Sequence, residues 1–278
     1  MTPPPPTPFN RILLTGAAGY LGGVVRPELR CLAKTLRLSD LTPPQEAPDT
    51  GEEFVRADLS DPAQVATAME GVDAVVHLGG VSVEAAWEPI LQANIIGTYN
   101  MFEAARQVGV RRFVYASSHH AVGYYRREKR VGPDEPVRPD SRYGVSKVFG
   151  EAVGRLYADK YGMSVVVQRI GVARLQPQNP RGLIAWMSEQ DYVQLTLRCL
   201  QASNIHYLVV YGVSANDGSL WLNPGAEAIG FKPQDNGAVY AQSVLAAFPS
   251  EAEPAFEKPF HGGWFCGMEF SGDLQRID

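Results

Sequence analysis

A doubly wound parallel α/β sheet with a small C-terminal lobe is the fold class the sequence predicts. Three observations point to it. Short β-branched apolar runs alternate with helix-length amphipathic stretches from residue 11 to residue 170, the pattern of repeated βα units. The first unit, Arg11–Gly22 (RILLTGAAGYLG), stops its apolar run at three glycines spaced Gly16-x-x-Gly19-x-x-Gly22. Asp40 then closes the next apolar run, about eighteen residues further on.

The first unit reads as strand, tight turn and helix. Gly16 permits a sharp turn, Gly19 a close approach of backbone to a phosphate, and Gly22 close packing of helix on strand. The helix start at Tyr20 and Leu21 then offers free N–H groups and a positive dipole end to a pyrophosphate. Asp40 stands where a ribose 2′-hydroxyl would be bound, and a 2′-phosphate would meet it as like charge. The expected cofactor is therefore NAD rather than NADP. Arg37 argues the other way, but it lies inside the strand and is expected to point away from the ribose. These features make the sheet a Rossmann-type one.

The remaining elements follow in order. The first strand is Arg11–Thr15 and the first helix Tyr20–Ala33. The second strand is Thr35–Asp40, followed by a loop marked by Pro43, Pro44, Pro48 and Gly51. A short third strand, Phe54–Ala57, runs into Asp58-Leu59. A helix over Pro62–Met69 has Asp61 as N-cap and proline at its first position. Asp73–Leu78 is a fourth strand, with the apolar run of one buried on both faces. Pro89–Val108 reads as a long helix, Arg112–Ser117 as a fifth strand, Tyr143–Lys160 as a helix and Ser164–Ile170 as a sixth strand. After Ile170 the pattern changes: a loop over Leu175–Pro180, a helix over Glu189–Ser203, a strand over His206–Val210 and a last helix over Ala238–Phe248. The expected organisation is a Pro-rich disordered tail at 1–10, a dinucleotide-binding domain at 11–170, and a substrate-binding lobe at 171–278 interleaved with the sheet.

Composition narrows the partners. The net charge is −5 with no basic block, which argues against nucleic acid. No apolar run reaches eighteen residues, which argues against a membrane span. The start, MTPPPPTPFN, lacks the apolar stretch of a signal peptide. Cys31, Cys199 and Cys266 are odd in number and far apart; they read as reduced, mostly buried thiols of a cytoplasmic protein. No His or Cys stands at ligand spacing, so no metal is expected. His119 and His120 follow a strand, where adjacent side chains point apart.

Tyr143-Gly-Val-Ser-Lys147 carries the chemistry. Residues four apart on a helix share a face. A free phenol, with a pKa near roughly 10, is too weakly acidic to serve as a base at neutral pH. A neighbouring ammonium and an oxidised nicotinamide both favour the phenolate.

Taken together, the glycine turn, Asp40, Asp58-Leu59, Asn94, Ser117-Ser118 and Tyr143/Lys147 resemble the extended short-chain dehydrogenase/reductase family in order and spacing. The resemblance covers most of the chain. It implies that Ser118 binds the reacting oxygen, that Asn94 props a water chain from Lys147, that Lys147 also binds the cofactor ribose, and that Asp58 and Leu59, with Leu78-Gly79-Gly80 after the fourth strand, line the cofactor site. Within the family, the segments HLGGVSVE, NIIGTYN, HHAVGYY, RPDSRYGVSK and VSANDG are most similar to members that oxidise D-galacturonate or D-glucuronate at the anomeric carbon with NAD, giving an aldarolactone. A sugar acid needs a cation in the pocket, and arginine meets a carboxylate with a planar fork. Arg181 matches that position, with Arg174 second; Arg169, within a strand, is expected to serve structure. Ser82, Ser118, His119 and His120 are placed against sugar hydroxyls by the same match, Tyr143 at the reacting hydroxyl, and Phe265 as an apolar lid. The sequence departs from the family pattern at His119 and at Val172, where polar residues are usual. Long helices after the fourth and fifth strands suggest a homo-oligomer by analogy with the family. The competing readings are a nucleotide-sugar epimerase or dehydratase, an aldose dehydrogenase, and a regulator that binds NAD without turnover; the presence of Tyr143, Lys147, Ser118 and Asn94 argues against the last.

Overall fold

The computed structural model describes residues 9–248 and 254–277. Most of the expected Pro-rich tail, residues 1–8, lies outside them. The chain begins with β1 (Phe9–Thr15), α1 (Tyr20–Leu29), β2 (Ala33–Asp40), β3 (Glu52–Arg56), α2 (Pro62–Met69) and β4 (Ala74–His77). It continues with a composite helix: α3 (Trp87–Pro89), a π-helical turn at Ile90–Ile96, and α4 (Gly97–Val108). Then follow β5 (Arg112–Ser118), α5 (Arg142–Tyr161), β6 (Ser164–Ile170), β7 (Val172–Ala173), α6 (Pro180–Ala185), β8 (Trp186–Met187), α7 (Glu189–Gln201) and β9 (Tyr207–Gly212). Three short helices complete the described chain: α8 (Pro224–Ile229), α9 (Ala241–Ala247) and α10 (Trp264–Gly267).

Seven strands form one sheet in the order β3-β2-β1-β4-β5-β6-β9, and all neighbours run parallel. The order reverses direction between β1 and β4, so the crevice over their carboxyl ends is where this topology receives ligands. Alternate residues of β1 serve opposite faces. Ile12 and Leu14 pack with Val25 and Leu29 of α1 and Tyr192 and Leu195 of α7. Leu13 packs with Val65 of α2, Phe102 of α4 and Tyr157 of α5. Two apolar layers on one strand are what a sheet covered on both faces requires.

Buried ions seal the sheet. Arg37 donates to Glu53 (2.8 Å) and, through Nη1, to the carbonyls of Ala68 and Glu70 (both 2.9 Å) at the end of α2. Its charge thus meets the negative end of a helix. Arg169 makes a doubly hydrogen-bonded pair with Glu151 of α5 (2.9 and 2.8 Å), both buried. Asp61 caps α2, accepting from the Ala63 and Gln64 N–H groups.

Four expectations need correction. The first helix stops at Leu29, and a 3₁₀ turn (Arg30–Leu32) leads into β2, because Ala33 already pairs with Phe9. The long helix starts at Trp87 and carries the π turn, which no periodicity of apolar residues announces. The helix beginning at Glu189 ends at Gln201, short of Ser203. The helix after Ala238 is not the last, since α10 follows it; residues 249–253, between α9 and the C-terminal segment, lie outside the described chain.

Candidate active site

The glycine turn closes β1 against the loop after β4. Gly16 has φ +69°, and a methyl group there would lie 2.8 Å from the Gly79 nitrogen. A methyl at Gly22 would collide with the Gly16 carbonyl oxygen, so α1 packs directly on the turn. Gly19, the N-cap of α1, contributes no capping side chain, and the first turn holds no acidic residue. The N–H groups of that turn therefore remain available to an anion. Asp40, at the end of β2, accepts from the Ala18 N–H (3.0 Å) and the Leu41 N–H (2.7 Å). Asp58 accepts from the N–H (2.9 Å) and hydroxyl (2.7 Å) of Ser60. The Thr15 hydroxyl accepts from the Gly79 N–H (3.2 Å) and bonds to His77 Nδ1 (2.7 Å), which ties the two strand ends together.

Gly16, Gly19–Gly22, Asp40, Asp58, Leu59 and Leu78–Gly80 line one cavity of about 1150 Å³, and so do Ser82, Ser118–His120, Tyr143, Lys147, Arg174, Arg181 and Phe265. Of the expected site residues, Asn94 alone lies outside this lining. The π turn carries it behind the wall, where its Oδ1 accepts from the Val81 N–H (2.8 Å) and its Nδ2 donates to the Val81 carbonyl and to Ser146 Oγ (both 2.9 Å). Asn94 thus fastens the loop after β4 to α5, one residue from Lys147.

Tyr143 and Lys147 are both buried, on the first turns of α5. Lys147 Nζ donates to the Ala116 carbonyl (2.9 Å) and lies 5.4 Å from the centre of the Tyr143 ring. Burial pushes the Lys147 ammonium down to about 8. Burial likewise pushes the Tyr143 phenol up to about 12; a hydrogen bond with the Ser118 hydroxyl opposes that rise and the charge of Asp140 adds to it. Desolvation, rather than the neighbouring ammonium, dominates the phenol in the protein alone.

The opposite wall is built by His119, His120, Arg181 and Phe265. His119 and His120 do not point apart. The chain leaves the strand at Ser118 into a 3₁₀ turn (His119–Val122), where strand alternation no longer applies, and the two rings lie 4.2 Å apart. His119 Nδ1 bonds to the Ile170 carbonyl (2.9 Å) and its Nε2 to Arg181 Nη1 (3.1 Å). Arg181 also donates to the His261 carbonyl (3.1 Å) and is buried. His120 Nδ1 bonds to Asp140 at 2.6 Å, and Phe265 stacks on the His120 ring at 3.9 Å. Arg174 and Ser82 sit exposed on the rim. Across the mouth, the Tyr20 hydroxyl donates to Glu189 (2.7 Å). Among the described residues, no group of three His, Cys, Asp or Glu could hold a metal ion. Cys199 and Cys266 are buried and Cys31 exposed, all three unpaired.

Sequence reasoning passed over Asp140, Glu84 and the Thr15–His77 contact. Each acts on a residue far away in the chain, which no local pattern reports.

A glycine cradle at a helix start, an acid at the end of β2 and a buried Tyr/Lys pair fit a dinucleotide. The model of the NAD dependent epimerase/dehydratase family matches residues 12–202. The chain belongs to that family. Among its relatives, the uronate dehydrogenase of Pseudomonas putida is 45% identical over 263 residues, 94% of this chain and 97% of that protein. That of Agrobacterium fabrum is 45% identical over 92% of this chain and 97% of its own. The crystal structure of uronate dehydrogenase from Agrobacterium tumefaciens superposes with a TM-score of 0.89 at 44% identity, covering 93% of this chain and 97% of that one; a point variant of it, complexed with NAD, superposes equally well. Membership of the family accounts for the parallel sheet and for NAD as the cofactor.

Proposed function

We propose that this protein is an NAD-dependent uronate dehydrogenase, oxidising D-galacturonate or D-glucuronate at the anomeric carbon to an aldarolactone. The observation that carries this reading is one cavity that holds both a buried Tyr143–Ser118–Lys147 group and the Arg181 guanidinium. A redox centre and a carboxylate anchor then share one substrate. The full-length similarity to uronate dehydrogenases supports it.

The cofactor site draws on Gly16, Gly19–Gly22, Asp40, Asp58, Leu59 and Leu78–Gly80. The first turn of α1 would hold the pyrophosphate with backbone N–H groups, and Asp40 would accept from the ribose hydroxyls. Bound there, NAD would supply the acceptor for the hydride lost from C1. Arg181 holds the carboxylate of the cyclic hemiacetal. Tyr143, as phenolate, takes the anomeric hydroxyl proton, so that the C1–H and O–H bonds break as the lactone C=O forms. Ser118 donates to that oxygen as its charge changes. Lys147, fixed by the Ala116 carbonyl, keeps a positive charge beside the phenolate. Phe265 excludes water from the sugar side.

The exposed Tyr99, Val145 and Leu156 on α4 and α5 support association of copies through these helices. The three unpaired cysteines support a cytoplasmic site of action. No described helix is long and apolar enough to cross a membrane.

Reduction of NAD, followed optically across uronates, neutral aldoses and nucleotide sugars, tests the function. Turnover confined to uronates is expected. Faster turnover of neutral aldoses or nucleotide sugars overturns the reading.

A further inference from the structure

Asp140 lies behind the cavity wall, and its carboxylate is fully enclosed. The space around it is made by glycines from three separate segments. A methyl at Gly123 or at Gly262 would collide with Asp140 Oδ2, and one at Gly144 would stand 3.2 Å from Oδ1. The carboxylate receives the Ser141 hydroxyl on Oδ1 (2.7 Å) and His120 Nδ1 on Oδ2 (2.6 Å), with the Cys266 thiol a weak third donor on Oδ2 (4.0 Å). Helix capping does not account for it, because Ser141 and not Asp140 caps α5. A carboxylate is costly to bury and would serve packing worse than an apolar side chain of the same size. Among the residues lining the cavity, it hydrogen-bonds to His120.

The two histidines beside it have different assignments. A carbonyl oxygen only accepts, so the bond from His119 Nδ1 to Ile170 puts the proton on Nδ1 and leaves Nε2 to accept from Arg181. His119 is thereby spent on holding the guanidinium. His120 is held at Nδ1 by Asp140 and across its face by Phe265, with an interplanar angle of 15°. Burial and the nearby Arg181 charge both oppose protonation of the two rings.

We propose that Asp140 is a positioning residue that holds His120 in its Nδ1–H form, making Nε2 an acceptor for one hydroxyl of the sugar acid. The inference rests on the uronate reading and deepens it. A lone-pair nitrogen welcomes an O–H and rejects a carboxylate. The wall is thus divided: Arg181 takes the charged end of the substrate, and His120 turns that end away while accepting from a ring hydroxyl. Binding of the sugar end-for-end is disfavoured at both positions.

Two measurements test this. NMR of the wild-type protein with ¹⁵N-labelled histidine reads the tautomer directly, without substrate. His120 is expected to be neutral, protonated at Nδ1, with that proton far downfield. An Nε2–H tautomer or an imidazolium at neutral pH overturns the proposal. The second measurement compares Asp140→Asn with wild type on a parent uronate and on its monodeoxy analogues. An amide is neutral and leaves one acceptor oxygen where the carboxylate offered two, so the hold on His120 is weakened. kcat/KM on the parent is expected to fall roughly ten- to hundredfold, mainly through KM, with NAD affinity by calorimetry unchanged. The loss is expected to be much smaller for one deoxy analogue, the one lacking the hydroxyl that meets His120. Equal losses across the whole series overturn the proposal. Should Asp140→Asn not fold, His120→Ala on the same series gives the same comparison. A wild-type protein that binds NAD but oxidises no uronate removes the proposed function instead, and the tautomer measurement still decides the role of Asp140.

Discussion

Glu84 grips two consecutive residues at the start of α5: one carboxylate oxygen accepts from the Tyr143 backbone N–H at 2.8 Å, the other from the Arg142 guanidinium at 3.0 Å. The Glu84 side chain is nearly buried. An acid at a helix N-terminus is favourable in itself. Here it also ties the loop bearing Ser82 to the helix bearing Tyr143. Glu84→Ala should cost about 1–3 kcal/mol of stability, seen as a lower Tm, and should raise KM for the sugar more than it lowers kcat. An unchanged Tm would show that the grip contributes nothing.

Tyr143→Phe removes the proposed base and keeps the ring. kcat should fall by about 10²–10⁴-fold, while NAD affinity stays near that of the wild type. Single-turnover kinetics with calorimetric NAD titration separates the two. Because burial holds the Tyr143 phenol up towards about 12 in the protein alone, the wild-type rate should climb as pH rises from 6.

Arg181→Ala should reduce kcat/KM for uronates by roughly 10–150-fold, the worth of a charge-assisted hydrogen bond. Neutral aldoses should change far less. The ratio of the two losses is the measurement, and equal losses would remove the carboxylate role. Since Arg181 also donates to the His261 carbonyl and pairs with His119, the Tm of the variant has to be recorded beside its kinetics.

Asp40 holds the turn through Ala18 and Leu41 and lines the cavity, where the proposal puts the cofactor ribose. The wild type should prefer NAD to NADP. Asp40→Ser should narrow that preference at least tenfold, about 1.4 kcal/mol, by removing the like charge. The measured quantity is the ratio of kcat/KM for the two cofactors.

Stability should fall in acid above the usual carboxylate range. Of five histidines, four (His77, His119, His120 and His261) are buried. Burial lowers His77 to about 3 and His261 to about 4, and places His119 and His120 well below their ordinary value. Between these values and about 6.5 the unfolded chain binds protons that the folded protein refuses. Each such histidine therefore withdraws up to about 1.4 kcal/mol for every unit the pH falls below about 6.5. Asp140, raised to about 6, acts in the opposite sense between its unfolded value and 6, but it is one group against four. Urea unfolding at pH 7 and pH 5 checks the sign: stability at pH 5 should be lower, and His77→Gln should reduce the difference.

What could be read in the sequence depended on how local the cause was. The turn at Gly16–Gly22 was legible because three glycines at fixed spacing meet steric demands within a few residues. That Arg37 turns into the protein was legible from its position inside the strand. The π turn at Ile90–Ile96 was not legible, since one extra residue per turn leaves the apolar periodicity on either side intact. His119 and His120 were misjudged because strand geometry was carried past Ser118, where the backbone already turns. The niche of Asp140 draws on residues 123, 144 and 262, and no single stretch of sequence holds that information. Tyr143 and Lys147 were legible as a pair, but the weight of burial on the phenol became visible only once the surrounding walls were in place.

The pairing of β6 with β9 joins Val165–Ile170 to Tyr207–Gly212, and it limits how this molecule can be taken apart. A fragment ending after residue 170 would keep every glycine of the turn between β1 and α1 yet leave a Val-rich strand edge naked, inviting neighbouring copies to stack on it. Chimaeras meant to exchange sugar preference should therefore retain residues 207–212 with the nucleotide half and place their junctions in the loops on either side, so that the grafted piece brings new walls without unzipping the sheet.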